Sequence, residues 1–403
     1  MPLQAGNAEM MKWIDETITK LDAYCLKNNY TGYDPYDGLE SHFFKSIPII
    51  RSSRVCRLLW IQLFKRNPFN LRRLLKVPLQ PNAKTLALFL KAYCLQYQSE
   101  QKPLILDKIN YFIRVLKQMK CEGYHGACWG YPFDWQSRSF FLRSNTPTSV
   151  CTSFVADALL DAYQITKDKE LHNLLLTVPE FYLKDLHHRE YNGKYCSLSY
   201  SPADYEEVYN VSYLVAASLS RIYQLESKPE WKELAGRLIR FGAEKQRADG
   251  LWFYGSSDHH QWADGFHTGY NLVSLHAYIT CFHDDSQRPF LEKGFDCFLK
   301  YFTDGEGSVF YYHNGKGPMD AHNVAQAILT ILLLGNKNKS NDLVMKIFRK
   351  GMKYLYDDEQ GIFYFQKYKH YTNRIPYMRW SQAWMLLALM NLKNQWKLHE
   401  DMV

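Results

Sequence analysis

The stretch WADGFHTGYNL, residues 262–272, collects several chemically versatile side chains just before an apolar run typical of a buried helix. Asp264 is a preferred residue type for capping a helix, and one capping residue is enough. His267, Thr268 and Asn271 exceed that requirement, and the spacing of Asp264, Thr268 and Asn271 puts them on one helical face. The stretch therefore predicts a functional site, with Asp264 and His267 as candidate acid or base groups.

Polar and aromatic residues also precede or open the other apolar runs of the chain. Asp134 and Asp320 join Asp264 and His267 as catalytic candidates. The candidate substrate-binding residues are aromatic, basic or amide side chains of these same segments: Trp129, Tyr131, Trp135, Arg138, Tyr209, Trp252, Trp262, Asn271, His322, Asn323, Arg379 and Trp380. The simplest explanation of Thr148, Ser149 and Asp320, each taken alone, is that they cap helices.

Two chemistries fit these residue types. Arg138 or Arg379 could hold the carboxylate of an acidic sugar in a bidentate pair, while a Tyr or His removes the proton beside that carboxylate, as lyases and C5-epimerases require. Hydrolysis would instead use two of the candidate carboxylates Asp134, Glu206, Asp264 and Asp320. The sequence gives no distance between carboxylates, so both chemistries stay open.

The elements that must position these residues recur along the chain. Five times a Gly is followed by an aromatic-rich extended stretch, a polar loop and a helix of small apolar residues. The leading glycines are at 126, 193, 250, 307 and 361, with separations of 67, 57, 57 and 54 residues. Amphipathic stretches, such as 228–246 and 340–357, lie between the units and predict surface helices.

Each period thus predicts one buried inner helix and one amphipathic outer helix. Residues 81–97 supply a sixth inner helix paired with an outer helix near 104–120, and residues 9–27 supply the last outer helix. Six pairs predict an all-α, single-domain (α/α)6 toroid over residues 1–403, with short β-hairpin-like loops at its mouth. An open right-handed helical array is the alternative. In a ring, all inner helices begin at one end, where a binding site is expected.

Composition favours a carbohydrate ligand. Aromatic residues make up 16% of the 403 residues, including 30 Tyr and 10 Trp, and aromatic faces pack on sugar rings. The net charge is +8, with a basic concentration in residues 51–76. Solvated helix faces explain that concentration most simply, and attraction to an acidic polysaccharide or anionic lipid is the alternative. No nucleic-acid motif occurs, so no nucleic-acid partner is expected.

Other motifs are absent from the sequence. The nine Cys include no CxxC pair, no export signal is visible, and no apolar run reaches the roughly 18 residues of a membrane helix. These features predict a cytoplasmic protein. There is no GxSxG, Walker or HExxH motif, and no Cys/His set has zinc-ligand spacing, so no metal or cofactor is predicted.

Four stretches carry a family resemblance: residues 32–44, 81–90, 129–138 and 262–272. In this order they resemble the bacterial VpsJ family of polysaccharide biosynthesis proteins, over most of the chain. The resemblance implies a six-hairpin glycosidase-like toroid associated with capsule or exopolysaccharide production, without a secure reaction. It places the following residues at family motif positions: Asp134, Trp135, Trp262, Asp264, His267 and Asn271. The loop DGLWFYG is more distantly similar to unsaturated glucuronyl hydrolases.

The sequence therefore predicts a carbohydrate-active enzyme of bacterial polysaccharide biosynthesis that performs acid/base chemistry on a glycan. Its partner would be an oligosaccharide or a lipid-linked glycan, with peripheral contact to the inner membrane surface. A non-catalytic glycan-binding or assembly protein of a capsule pathway is the alternative. A toroid that binds an isoprenoid group is a third hypothesis, but the acid-rich motif that it requires is missing.

Overall fold

Six inner helices form a closed ring. The structure, a computed structural model, describes residues 7–400. The inner helices are α5 (Ala83–Glu100), α7 (Ser149–Thr166), α9 (Tyr209–Tyr223), α11 (Gly265–Phe282), α13 (Ala321–Leu334) and α15 (Trp384–Glu400). Each contacts the next, and α15 contacts α5, which closes the ring. The predicted (α/α)6 toroid is confirmed, and the open array is not observed.

An outer helix packs against each inner helix. The outer helices are α1 (Asn7–Lys27), α6 (Pro103–Gln118), α8 (Lys169–Lys184), α10 (Pro229–Glu244), α12 (Arg288–Phe302) and α14 (Lys337–Leu355). Helix α1 pairs with α15, so the first helix of the chain completes the last hairpin, as predicted. The inner helices bury residues around much of their circumference, whereas the outer helices bury one stripe, which accounts for the two sequence patterns.

Short antiparallel strands lie in the loops that lead from outer to inner helices. The pairs are β1 (Trp135–Gln136) with β2 (Phe141–Leu142), β3 (His188–Tyr191) with β4 (Tyr195–Leu198), and β6 (Tyr356–Asp357) with β7 (Ile362–Phe363). A three-stranded sheet has the order β5 (Met319–Asp320), β8 (Gln366–Lys367) and β9 (Thr372–Asn373). In the first hairpin, Trp135 pairs with Leu142. The predicted hairpin-like loops are thus present.

An additional helical segment separates the first outer helix from the first inner helix. It contains α2 (His42–Lys45), α3 (Pro48–Ser52) and α4 (Arg54–Arg66), and the repeat pattern did not predict it. Helix α4 buries Ile61 and Phe64 against the short 3₁₀ helix of residues 37–40. The segment is also fixed by Trp60, whose Nε1 donates to the Gly38 carbonyl at 2.9 Å.

A buried ion pair joins the start of this segment to the last inner helix. Arg379 Nε and Nη2 donate to the two carboxylate oxygens of Asp34 at 2.5 and 2.9 Å, and both side chains are at least nine-tenths buried. Arg379 lies in the π-helical turn Met378–Ala383 that leads into α15. The pair therefore spans 345 positions of sequence across the closure of the ring.

Within residues 7–400, no helix combines the length and hydropathy needed to cross a bilayer.

Replacing Asp34 with Asn should lower the free energy of unfolding by about 3 kcal/mol or more, because it leaves the buried Arg379 charge without its counterion. Chemical denaturation measures this. The control is Asp358→Asn, which removes the exposed ion pair with Lys20 and should cost less than about 1 kcal/mol. Equal losses in the two variants would show that the buried pair does not stabilise the ring closure.

Candidate active site

One cavity of about 630 Å³ opens at the end of the ring where the inner helices begin. It contacts a residue at or near the start of every inner helix, namely Lys84, Val150, Asn210, His267, His322 and Trp380. Helix α4 forms one wall through Leu58, Gln62 and Lys65. The six parallel inner helices thus bring residues far apart in sequence to one site.

The floor of the cavity is a group of side chains that we call the His–Tyr cluster, consisting of Lys84, Asp264, His267, Tyr270 and His322. The Tyr270 hydroxyl lies 2.6 Å from His322 Nε2 and accepts a hydrogen bond from Lys84 Nζ at 3.4 Å. The Tyr270 ring centroid is 5.7 Å from that of His267 and 5.7 Å from that of His322. One phenol therefore lies between two imidazoles.

Asp264 holds one of these imidazoles in place. Its Oδ1 accepts from the backbone N–H of His267 at 2.8 Å, which caps helix α11, and its Oδ2 lies 2.9 Å from His267 Nδ1. Asp264 is buried, whereas the His267 side chain is 21% exposed. Among the described residues, Nε2 of His267 has no hydrogen-bond partner, so this nitrogen is free to exchange a proton with a bound ligand.

The other imidazole is buried and held neutral. Burial, with the positive charges of Lys84 and Arg379, lowers the pKa of His322 well below its usual value. Its ring stacks on Trp384 at a centroid distance of 4.4 Å. Burial also lowers the pKa of Lys84 and raises that of Tyr270. Near neutral pH, Tyr270 is thus a phenol in contact with a neutral histidine.

The cavity lining is strongly cationic. Among the described residues, the basic side chains of the lining are Lys65, Arg66, Lys84, Arg138, Lys316 and Arg379, and Asp264 is its only carboxylate. Arg379 is neutralised by Asp34 and Lys65 contacts the Tyr36 hydroxyl at 2.8 Å, but the guanidinium of Arg138 forms no ion pair with any described residue. This excess of positive charge favours an anionic ligand.

Aromatic rings form much of the remaining wall. Trp262 stacks on Tyr254 with a centroid distance of 4.6 Å and an interplanar angle of 10°, so one of its faces is covered. Trp135 contacts the rings of Tyr36, Phe140 and Tyr200. Both tryptophans are half-buried and line the cavity, as does the buried Tyr131. Rings in such positions can pack on a sugar face.

The structure brings together only part of the predicted site. The predicted residues that line the cavity are Tyr131, Trp135, Arg138, Trp262, Asp264, His267, His322, Arg379 and Trp380. Asn271, which was predicted to share a face with Asp264, is buried away from the cavity. Thr268 donates its hydroxyl to the Asp264 carbonyl at 2.8 Å. The face of α11 that lines the cavity instead carries Phe266, His267 and Tyr270.

Several predicted binding residues lie in the core. Trp129 and Trp252 are fully buried, and each donates its indole N–H to a backbone carbonyl, of Leu116 at 2.8 Å and of Gly242 at 3.0 Å. Asn323 donates to the Phe310 carbonyl, and Tyr209 accepts from Ser256. These four residues are not in the cavity lining, because their polar atoms satisfy the loops that carry the site.

Two predicted catalytic carboxylates also lie outside the lining. Asp320 caps α13 and accepts hydrogen bonds from Gln366 and Trp380, and burial raises its pKa to about 6. Asp134 accepts from the backbone N–H of Ser144 at 2.8 Å and so fixes the β1–β2 loop. Both carboxylates have structural partners, which agrees with the capping explanation for Asp320.

Several residues that line the cavity were not predicted from the sequence. Tyr270 is part of the stretch 262–272, and its position three residues after His267 was the available signal. Lys84 opens an inner helix, where a buried Lys is unusual. Lys65 and the other α4 residues gave no signal, because their contact with the mouth depends on long-range packing.

Two groups of described residues bring three possible metal ligands within 4.8 Å of one another. Glu206, His259 and His260 lie near the rim of the cavity, and His188, Glu190 and Cys196 lie on the β3–β4 hairpin. Neither group includes a residue of the His–Tyr cluster. The prediction that the protein uses no metal or cofactor stays a prediction.

The fold is shared with solved structures of carbohydrate-active enzymes. A possible GH105 family member from Salmonella enterica matches with a TM-score of 0.65 and 13% identity, over 99% of this chain and 97% of that one. An unsaturated glucuronyl hydrolase specific for heparin matches with a TM-score of 0.60 and 13% identity, over 96% and 97%. The cellobiose 2-epimerase of Bacillus thermoamylovorans matches with a TM-score of 0.61 and 14% identity, over 78% and 90%.

The sequence matches no family model and no curated protein. At these identities the structural likeness establishes the six-hairpin toroid alone. Membership of the VpsJ family stays a prediction.

The depressed pKa of His322 predicts a pH-dependent stability. Below about pH 6.5 the unfolded chain binds a proton at this residue and the folded chain does not, so stability falls as the pH falls. Between pH 7 and 5.5, wild type should lose about 1 kcal/mol more than His322→Gln. Denaturation at both pH values measures the difference. The control is His42→Gln, which replaces an exposed histidine and should lose as much stability between the two pH values as wild type does. An equal loss in wild type and His322→Gln would contradict the neutral state of His322.

Proposed function

We propose that this protein is an enzyme that removes a proton from a carbon of an acidic sugar, in the biosynthesis of a bacterial surface polysaccharide. The observation that carries the proposal is the His–Tyr cluster on the floor of a cationic cavity. The substrate would be an oligosaccharide or a lipid-linked glycan, and the reaction a C5-epimerisation or a lyase-type elimination. The pathway rests on the resemblance to the VpsJ family.

Proton transfer fits the cavity better than hydrolysis by a carboxylate pair. Such hydrolysis needs two carboxyl groups about 5 to 9.5 Å apart on either side of the scissile bond. Asp264 is the one carboxylate of the lining, and its two oxygens are already occupied by the helix cap and by His267. An oriented imidazole and a phenol, in contrast, can serve as the base and the acid of a proton transfer.

In the proposed reaction, His267 is the base. Asp264 orients its imidazole through Nδ1, so that Nε2 can take a proton from the carbon beside the sugar carboxylate. The electrons of the broken C–H bond move onto that carboxylate, where a positive residue such as Arg138 stabilises the added charge. Tyr270 donates a proton from its hydroxyl, and His322 and Lys84 stabilise the resulting charge.

The return of the proton distinguishes the two outcomes. In an epimerisation, the carbon takes a proton on the face opposite to the one that lost it. In an elimination, the electrons form a carbon–carbon double bond as the neighbouring glycosidic C–O bond breaks, and the leaving oxygen takes a proton. Both reactions use the same side chains. The part of the proposal that they share is the removal of a proton from an acidic sugar.

The structural neighbours support a sugar substrate. Of the proteins named above, one is a cellobiose 2-epimerase and another is an unsaturated glucuronyl hydrolase, and a glucuronyl group is acidic. The cationic lining of the cavity favours an acidic sugar over cellobiose as the substrate of the present chain.

Solvent exchange tests the proposal. The protein is incubated in D₂O with glucuronate- and galacturonate-containing disaccharides and with neutral cellobiose, and NMR follows deuterium entering carbon-bound positions. At the carbon beside the carboxylate of a uronate, we expect deuterium if the reaction is an epimerisation, or a new carbon–carbon double bond if it is an elimination. We expect neither in cellobiose. His267→Asn and Tyr270→Phe should each reduce the rate by about 10² to 10⁴. His276→Asn, on the same helix but outside the cavity, should leave the rate unchanged.

Three outcomes contradict this assignment. Glycosidic cleavage that forms no carbon–carbon double bond, with no deuterium entering carbon, would favour hydrolysis, because an elimination leaves a double bond beside the carboxylate. Uronate binding without exchange or cleavage would favour the non-catalytic glycan-binding protein. An equal loss of exchange in His276→Asn would show that the cluster variants act through the fold.

A further inference from the structure

We infer that the exposed face formed by α2, α3, α4 and the stretch that follows α4, residues 43–79, is a docking surface for an anionic lipid bilayer. This surface lies outside the catalytic groups and would hold the mouth of the cavity at the membrane. The inference does not depend on the reaction proposed above. We call this surface the α4 face.

The α4 face concentrates exposed apolar side chains. Eight of the fifteen large hydrophobic residues that are exposed in the described part of the chain lie within residues 43–79: Phe43, Ile49, Val55, Leu59, Leu63, Phe69, Leu74 and Leu79. Exposed apolar residues are normally scattered singly over a soluble protein. Such a concentration in one segment marks an interaction surface.

Helix α4 shows the arrangement most clearly. Val55, Leu59 and Leu63 are four residues apart, so they form one stripe along the helix, and they are 63%, 65% and 45% exposed. The opposite side buries Ile61 and Phe64. The helix is therefore apolar on two sides, and packing within this chain uses only one of them.

The charge of the segment identifies its partner. Residues 43–79 contain nine basic and no acidic residues. Removing them from the chain leaves 40 basic against 41 acidic residues, so this segment accounts for the whole net positive charge. Arg51, Arg73 and Lys76 are exposed, and their side chains form no ion pair or hydrogen bond with any residue that the structure describes. Exposed basic residues beside apolar ones are typical of helices that lie on anionic membranes.

Other occupants fit less well. A second copy of this chain would place two strongly basic faces against each other, which like-charge repulsion disfavours. An acidic polysaccharide would match the charge but would leave the aliphatic residues in water. A bilayer with anionic headgroups satisfies both, because the apolar residues enter the interface while the basic residues stay at the headgroups.

The surface is placed close to the cavity. Leu58, Gln62 and Lys65 line the cavity from α4, while Val55, Leu59 and Leu63 of the same helix face solvent. The exposed stripe and the cavity-lining residues thus lie on adjacent sides of one helix, so the proposed bilayer would lie next to the wall of the cavity. A glycan carried on a lipid would reach the mouth without leaving the membrane surface.

Vesicle cosedimentation of the full chain tests the inference. The probes are vesicles of phosphatidylcholine alone and of phosphatidylcholine with 30% phosphatidylglycerol. We expect binding only to the anionic vesicles, weakened by salt. The triple variant Val55→Gln, Leu59→Gln, Leu63→Gln should reduce the partition coefficient roughly ten-fold or more. Gln keeps a good helix propensity, so α4 should persist.

A second variant tests the contribution of the charges, and a third is the control for the exposed leucines. Arg51→Gln, Arg73→Gln, Lys76→Gln should weaken anionic binding by about five-fold for each charge. Leu26→Gln, Leu104→Gln, Leu333→Gln removes three exposed leucines elsewhere and should bind as wild type does. Circular dichroism verifies that each variant is folded.

Several results would overturn the inference. These are no binding to anionic vesicles, equal binding to neutral vesicles, or equal losses in the α4 and control leucine variants. A dimer in analytical ultracentrifugation that the α4 triple variant abolishes, without vesicle binding, would assign the face to self-association. His267→Asn should bind vesicles as wild type does, which separates this test from that of the proposed reaction.

Discussion

The burial of six helices in one ring determines where the rest of the molecule lies. Each inner helix must be covered on nearly every side, and closure through α15 and α5 provides that cover without leaving an end unpacked. Because an outer helix returns the chain between successive inner helices, all six inner helices begin at the same end. Their free backbone N–H groups then require capping side chains at that end, as Asn82, Thr148, Asp264 and Asp320 provide.

The caps connect the architecture to the site. Asp264 illustrates this, because one oxygen satisfies the start of α11 and the other orients the imidazole of His267. Asp264, which the fold needs as a helix cap, is therefore also the residue that would orient the base. Tyr270 lies one turn further along α11, between the ring of His267 and the ring of His322 from the neighbouring helix. Burial at the floor then keeps His322 uncharged, while the cations of the wall favour an anionic ligand.

The sequence predicted the elements better than it predicted the site. Apolar periodicity and the spacing of the leading glycines were sufficient to predict the inner and outer helices. A helix buried on all sides is apolar all round, and a helix buried on one side carries a single apolar stripe, so both are visible in the sequence. They were insufficient to distinguish Trp252, which packs in the core, from Trp262, which lines the cavity, since both lie in the same loop. The contribution of Lys65 depends on how α4 folds back across the mouth, and no local pattern encodes that packing.

Binding of an acidic sugar at the His–Tyr cluster is the step on which the proposed reaction depends. A crystal structure of the His267→Asn variant, soaked with a mixture of uronate-containing and neutral disaccharides, tests it most directly. The proposed reaction requires a uronate in the cavity, with its carboxylate within about 3 Å of a basic residue and its neighbouring carbon facing the substituted position 267 and the Tyr270 hydroxyl. A neutral sugar bound in preference to the uronate, or a uronate bound only at the rim and away from Tyr270, would contradict it.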